Sequence, residues 1–246
     1  MQWFSFKGIS SESLDIEVMD YQSEILSKDK SWYITVPNRA GSIIAEDNTP
    51  DDIYVTVKCA YPYTIKSIMR QTARRIGTWL RGTGQLIFWD EPDKYRIARL
   101  YNAPELIDKG SWSEFEAIFR CQPYSVSTQA LTVPLNSKQT LEGTAPNAGV
   151  ISFSIPENTS PDGIEVSCGD KTLCIDIDFT AGDNISIDLA SRTATRNNEQ
   201  INQAFAPPYQ FFTCNEGENQ INAYIVIDEQ TTAVNGTYTY NARWLG

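Results

Sequence analysis

Residues 64–98 read TIKSIMRQTARRIGTWLRGTGQLIFWDEPDKYRIA, and this stretch decides the fold of the first half of the chain. Apolar residues recur in its first part at spacings of three and four, which places them on one face of an α-helix. Thr64 is a suitable N-cap, and Gly82 and Gly84 are stop signals beyond the last periodic residue. We therefore predict one helix whose apolar face packs on a sheet. The members of that face are Ile65, Ile68, Met69, Thr72, Ile76, Trp79 and Leu80.

The period of the pattern changes after the helix. Residues 85–90 (QLIFWD) are typical of a strand, residues 91–93 (EPD) of a turn, and residues 95–100 of a returning strand. One helix leading into a β-hairpin is unusual here, because the other segments of the chain are strand-like or turn-like.

Basic residues occupy the other side of the predicted helix. Lys66, Arg70, Arg74 and Arg81 follow one another at spacings of four, four and seven. A solvated face is one interpretation, and contact with an acidic neighbouring protein is the other. Exposed ion pairs are worth about 0–1 kcal/mol each, so they would set register and partner choice, whereas buried area would hold subunits together. We take these four residues as candidate subunit-interface residues, with Arg39 as a fifth.

Arg39 lies in the turn-rich sequence PNRAG at residues 37–41. Strand-like segments flank this turn on both sides, which predicts a hairpin with Arg39 at its tip. Such a tip is either solvated or reaches over a neighbouring subunit.

Composition indicates two domains. From residue 125 to residue 148 Ser, Thr, Asn, Gln, Pro and Gly dominate, and we place the boundary near Val126, giving domains of residues 1–126 and 127–246. Many short strand-like segments separated by turns follow the boundary, without a convincing helix. This pattern predicts a β-sandwich and a fold that is mainly β.

Charge is unevenly spread between the two predicted domains. Residues 1–126 carry 15 Lys+Arg and 17 Asp+Glu, a net charge of −2, whereas the remainder carries 5 and 14, a net charge of −9. A free-standing nucleic-acid binder needs basic residues to displace phosphate counterions, so we expect no specific nucleic-acid binding.

The sequence excludes several kinds of chemistry. The chain has no histidine, which removes Ser-His-Asp and Cys-His nucleophile systems and the usual zinc enzymes. Its five cysteines form no CxxC pair, and we expect them to be buried reduced thiols. We find no signal peptide and no apolar run that approaches a membrane span. The expectation is a protein without catalytic activity, cofactor or metal, and without a membrane partner.

An ordered set of motifs resembles the distal tail proteins of siphophages. The most specific part is the Trp-Leu helix end followed by the acidic-Pro turn and a tyrosine, in residues 76–80 and 86–95. Further matches are FKGISS at residues 6–11, VPNRAG at 36–41, FRCQPY at 119–124, ISID at 185–188 and CNEGENQI at 214–221.

The resemblance implies that the protein has a structural role at the tip of a phage tail. It implies a first domain like a tail-tube subunit, a β-sandwich or barrel with one flanking helix and an extended hairpin, and a second galectin-like β-sandwich domain. Such proteins form a hexameric ring, with back-to-back dodecamers as a form in isolation. The ring joins the tail tube protein to the tail-associated tip protein, to baseplate proteins and to receptor-binding proteins during host adsorption. The implied location is the virion tail tip, after synthesis in the bacterial cytoplasm.

Two alternatives remain at this point. A carbohydrate-binding or glycan-cleaving β-sandwich protein would need exposed aromatic residues or a carboxylate pair in a cleft of the second domain. A tail-tube subunit proper would not normally need the acidic second domain.

Overall fold

The structure is a computed structural model that describes residues 2–245. These residues form strands, one α-helix and two short 3-10 helices, so the predicted mainly β class is confirmed. The chain divides into two compact units: the first runs to Val126 and also takes in Leu245, and the second is Ser127–Trp244. Leu245, which the sequence division assigns to the second domain, thus groups with the first.

The first unit contains the helix. Its elements are β1 Phe4–Phe6, β2 Ile9–Ser10, a 3-10 helix Ser11–Leu14, β3 Glu17–Ser23, β4 Asp29–Thr35, β5 Ser42–Pro50, β6 Ile53–Pro62, α1 Lys66–Trp79, β7 Thr83–Phe88, β8 Lys94–Leu100, β9 Ile107–Asp108, β10 Trp112–Cys121 and β11 Tyr124–Ser127, whose last residue lies past the division. The main sheet is antiparallel with the order β2-β1-β7-β8-β10-β6-β3. Strands β4 and β5 form a separate two-stranded sheet.

The helix packs on the main sheet through Met69, Ile76 and Trp79. The ring of Trp79 stacks on that of Phe4 with centroids 5.1 Å apart, and its indole N–H donates to the carbonyl of Phe6 at 2.9 Å. The Tyr61 hydroxyl donates to the carbonyl of Met69 at 3.0 Å. Gly82 adopts a φ of +93°, which favours glycine and ends the helical region as predicted.

The start of the helix differs from the prediction. Ile65, not Thr64, occupies the N-cap position, with extended backbone and no side-chain cap. Ile65 and Ile68 are 57% and 43% exposed, although the pattern placed both on the packed face. The reason is geometric: Ile65 precedes the first helical residue and does not follow the helical period, while Ile68 lies at the margin of the buried arc.

The second unit is a β-sandwich. Its elements are β12 Leu131–Pro134, β13 Lys138–Leu141, β14 Val150–Ser154, β15 Gly163–Cys168, β16 Lys171–Asp176, β17 Asn184–Asp188, β18 Thr193–Arg196, β19 Glu199–Gln200, a 3-10 helix Asn202–Ala204, β20 Phe205–Tyr209, β21 Gly217–Ile227, β22 Gln230–Ala233, β23 Gly236–Tyr240 and β24 Arg243–Leu245, whose last residue belongs to the first unit. One sheet has the order β12-β23-β14-β17-β18-β19, and the other β13-β21-β15-β16-β20 with β22 beside β21.

One hydrophobic core joins the two sheets. Alternate residues of their strands point inward, as in Ile151 and Phe153 of one sheet and Ile164 and Val166 of the other. Gly236 lies where a Cβ atom would be 2.5 Å from the carbonyl oxygen of Ser152, so no larger residue fits without a backbone shift.

The buried carboxylate of Asp183 forms several hydrogen bonds within the second unit. Asp183 accepts hydrogen bonds from the backbone N–H of Thr180 at 2.7 Å and from Asn197 at 2.7 Å. Its other partner is Arg196, at 2.7 Å. Burial opposes ionisation, but these hydrogen bonds outweigh it and lower the pKa of Asp183 to about 2.

We expect acid to weaken the second unit through this group. Because the pKa of Asp183 is lowered on folding, its contribution is complete above about pH 4 and is lost as the pH falls toward 2. The contribution is on the order of 1–2 kcal/mol, since solvent reaches part of the ion pair. Asp183→Asn should lower the free energy of unfolding at pH 7 by about 1–3 kcal/mol and flatten its decline below pH 4.

Urea unfolding between pH 7 and pH 2.5 measures both effects. The matched control is Asp176→Asn, which removes an exposed carboxylate at the end of β16. If both variants lost the same free energy of unfolding, the stabilising role of Asp183 would be contradicted.

Candidate subunit interface

The β4–β5 ribbon (residues 29–50) carries a group of exposed apolar side chains. These side chains are between 39% and 69% exposed, and they are Trp32, Tyr33, Ile34, Ile43 and Ile44. Monomeric proteins rarely expose large contiguous apolar patches, so this group marks a surface for contact with another molecule.

Apolar side chains stand on both faces of the ribbon. Trp32 pairs with Ala45, Tyr33 with Ile44, and Ile34 with Ile43. Because successive side chains of a strand point to opposite faces, Trp32 and Ile34 lie on one face with their partners, and Tyr33 lies on the other with Ile44. An isolated two-stranded hairpin is marginally stable in water, so a partner that covered either face would stabilise this ribbon.

Arg39 lies at the tip of the ribbon and is exposed, as predicted from the turn sequence. The backbone N–H of Arg39 donates to the carbonyl of Val36 at 3.3 Å and closes the turn. Asn38 adopts a φ of +61°, a left-handed conformation that asparagine tolerates.

The helix places three of the other candidate residues on one exposed side. Lys66, Arg70, Arg74 and Arg81 are all exposed. At about 100° per residue Lys66, Arg70 and Arg74 lie within an arc of about 80°, and Arg81 lies beyond the helix end at Trp79. Within residues 2–245, no carboxylate forms an ion pair with Arg70, Arg74 or Arg81. Arg75, which the sequence analysis did not single out, is also exposed and lies about 100° further round the helix.

Lys66 differs from the arginines because it has a partner within its own subunit. Its Nζ lies 3.4 Å from a carboxylate oxygen of Asp108. The Tyr63 hydroxyl and the backbone N–H of Gly110 also donate to Asp108. The Tyr63 hydrogen bond is the main cause that lowers the pKa of Asp108, followed by Gly110 and Lys66. Lys66 therefore fixes β9 beside the helix start, and Arg70 and Arg74 are left to face outward.

An apolar groove of about 90 Å³ borders the basic arc. Ala73, Ile76 and Gly77 of the helix form one wall, and Pro104 and Leu106 are among the residues that complete it. A basic rim beside an apolar depression is the arrangement that protein interfaces use, with burial supplying affinity and charge supplying specificity.

Sequence reasoning missed the apolar part of this surface. The signal was present as two uninterrupted apolar runs, Trp32–Ile34 and Ile43–Ala45, where a half-buried strand would alternate. Trp112 is a further exposed aromatic residue of the first unit, and its indole N–H donates to Glu114 at 2.9 Å.

The remaining surfaces carry less chemistry. Across residues 2–245, no three His, Cys, Asp or Glu side chains are arranged to hold a metal ion. The helical segments in that range lack the combined length and hydropathy of a membrane span. Among the described residues of the second unit, Tyr209 is the one large aromatic side chain that is exposed.

The solved structure of the SPP1 phage protein Dit (gp 19.1) has the same fold. It superposes with a TM-score of 0.80 at 14% sequence identity, with 100% of each chain covered. The SPP1 structure is described as a paradigm of the hub adsorption apparatus in phages that infect Gram-positive bacteria.

A second structure, the phage p2 baseplate in its activated conformation with Sr, matches with a TM-score of 0.43 at 8% identity over 98% and 97% of the two chains. A score of this size carries no structural argument. No curated protein matches the chain.

The family comparison concerns the second unit. Residues 142–244 match the model of the siphovirus-type tail component, C-terminal domain. The resemblance that the ordered motifs indicated is thereby confirmed.

Proposed function

We propose that this chain is a structural hub protein of a siphophage tail and has no catalytic activity. Six copies form a ring at the tail tip, and the ring joins the tail tube to the baseplate and receptor-binding proteins. The observation that carries the proposal is the β4–β5 ribbon, which exposes apolar side chains on both faces. The family of the second unit and the fold shared with SPP1 Dit support the same assignment.

In this proposal each ribbon lies against the next subunit. A ring brings a neighbour to both sides of every subunit, and the same patch can be covered at every repeat of a closed symmetric assembly. Each half-exposed apolar side chain that becomes buried contributes about 1 kcal/mol. The ribbon thus supplies the buried area that exposed ion pairs cannot supply.

The exposed arginines of the helix act as the specificity element. The second unit carries the net negative charge of −9 that the sequence shows, so acidic surface is available on every subunit of the assembly. We infer that Arg70 and Arg74 contact acidic surface of a neighbouring subunit. The hexamer number comes from the resemblance, and a mass measurement tests it.

The ribbon prediction concerns a double substitution. Tyr33→Ser with Ile44→Ser removes the apolar pair on one ribbon face and should weaken each subunit contact by about 2 kcal/mol, or roughly 30-fold. Light scattering across a concentration series should give the wild-type protein a mass of six or twelve times the 27.7 kDa chain. The variant should stay at 27.7 kDa to much higher concentration.

Tyr209→Ser is the matched control, because Tyr209 is a similarly exposed tyrosine in the second unit. Its mass should follow that of the wild type, and circular dichroism should show all three proteins folded. A wild-type chain that stays monomeric at every concentration would argue against the ring, as would a ribbon variant that assembles normally.

The basic-face prediction uses single charge reversals. Arg70→Glu should weaken assembly at least about 5-fold at low salt, because it removes an attraction worth about 1 kcal/mol and adds a repulsion. The effect should fade as added salt screens the charges. Arg75→Glu is the control, since it makes the same charge change on another side of the same helix.

Sedimentation velocity at low and high salt measures both variants. The contact between the basic arc and a neighbouring subunit is rejected if Arg70→Glu and Arg75→Glu assemble alike at low salt.

A further inference from the structure

Two cysteines meet at one edge of the second unit. Cys168 is the last residue of β15, and Cys214 lies beyond β20, where its backbone exchanges hydrogen bonds with that of Asn147. Their sulfur atoms are 3.8 Å apart, and the Cys214 thiol donates to the Cys168 sulfur. The sequence expectation of five buried thiols is therefore wrong for Cys168, which is partly exposed, and also for Cys174.

The two thiols have unequal environments. Cys214 is fully buried in the core, whereas Cys168 borders a surface depression of about 420 Å³ that Lys171 and Asn219 also line. The hydrogen bond from Cys214 lowers the pKa of Cys168 to about 7 despite partial burial, and the charge of Lys171 adds to the effect. The same hydrogen bond, together with burial, raises the pKa of Cys214. Cys168 is thus the thiol that solvent reaches and that ionises first.

We propose that Cys168 and Cys214 form a dithiol site that a small disulfide compound, such as oxidised glutathione, converts into an intramolecular disulfide. The depression beside Cys168 gives the reagent access, and the 3.8 Å contact supplies the second thiol. Cys168 is the attacking residue and Cys214 the resolving residue.

The reaction takes two exchange steps. The Cys168 thiolate attacks one sulfur of the reagent, the reagent's S–S bond breaks, and the released thiolate takes up the proton that Cys168 gave up. Cys214 then loses its proton and attacks the Cys168 sulfur, which breaks the mixed disulfide and releases the second thiol. In total two protein thiols are oxidised, and one disulfide reagent is reduced to two thiols.

Local geometry favours the second step. The sulfurs must move less than 2 Å to reach the bond length of about 2.05 Å. Once Cys168 is in a mixed disulfide, it is no longer a thiolate, and the main cause that holds the pKa of Cys214 high is removed. Gly169, at a φ of +63°, is the first residue of the turn that follows Cys168 and leads to β16.

The bond would enclose residues 169–213, which contain β16 to β20 and so include strands of both sheets. A link around a loop of this size restricts the unfolded chain and stabilises the folded unit. The proposal therefore predicts a protein that becomes more stable after it meets an oxidising solution.

Oxidation of the folded full-length chain with oxidised glutathione tests the site. After the remaining thiols are blocked with N-ethylmaleimide, peptide mass mapping should find Cys168 joined to Cys214 with the loss of two hydrogens. Cys59, Cys121 and Cys174 should carry the blocking group after unfolding. The oxidised protein should unfold at a temperature about 5–10 °C higher than the reduced protein.

Variants separate attack from resolution. Cys214→Ala should stop at a glutathione adduct on Cys168, Cys168→Ser should leave Cys214 unmodified, and Cys174→Ser should oxidise like the wild type. A stable glutathione adduct on Cys168 in the wild-type protein, or modification at Cys174 without a 168–214 link, would overturn the proposal. The wild-type result stands without the variants if either of them fails to fold.

Discussion

The structure of the first unit depends on one constraint: a two-stranded ribbon cannot bury side chains that it carries on both of its faces. The main sheet buries alternate side chains in the core of the unit, whereas Tyr33, Ile34, Ile43 and Ile44 of the ribbon are 39–69% exposed. In the proposed ring a second molecule supplies the cover that the subunit lacks. The ribbon is therefore best understood as part of a core that is completed on assembly.

The helix provides the rigid counterpart to this incomplete element. Its second half is held to the sheet by the Trp79 indole, which both stacks on Phe4 and donates to the backbone of Phe6. Because the helix is fixed to the sheet, Arg74 projects at a defined position beside the apolar groove, and Arg70 lies one turn before it. Ion pairs made there would be weak singly, and their use is to select the angle at which a neighbour docks. In the proposed ring the ribbon supplies affinity, and the helix supplies register.

Sequence patterns predicted the fold well where one period dominated. The second unit is built of short strands such as β15 and β18, as the sequence predicts, because alternating residues face a single core. Prediction failed where tertiary contacts replaced local signals, as at Ile65, which the helical period placed on the packed face although it precedes the helix. The spacing of the arginines in the sequence predicted that they would be exposed. The contact between Cys168 and Cys214 could not be predicted, because the number of residues between two cysteines does not show whether the fold brings them together. The apolar side chains on both faces of the ribbon could have been predicted, because the sequence has two apolar runs there without polar alternation.

Amide hydrogen exchange of residues 29–50 tests the central claim most directly, when the assembled particle is compared with dilute subunits of the same protein. If neighbouring subunits complete the ribbon, its amides should exchange at least 30-fold more slowly in the assembled particle, while amides of β14 and β17 in the sandwich core keep their rates. The ribbon would then be an element that becomes stable on assembly. Equal exchange of residues 29–50 in particle and subunit would contradict the account, because it would show that assembly leaves both faces of the ribbon uncovered.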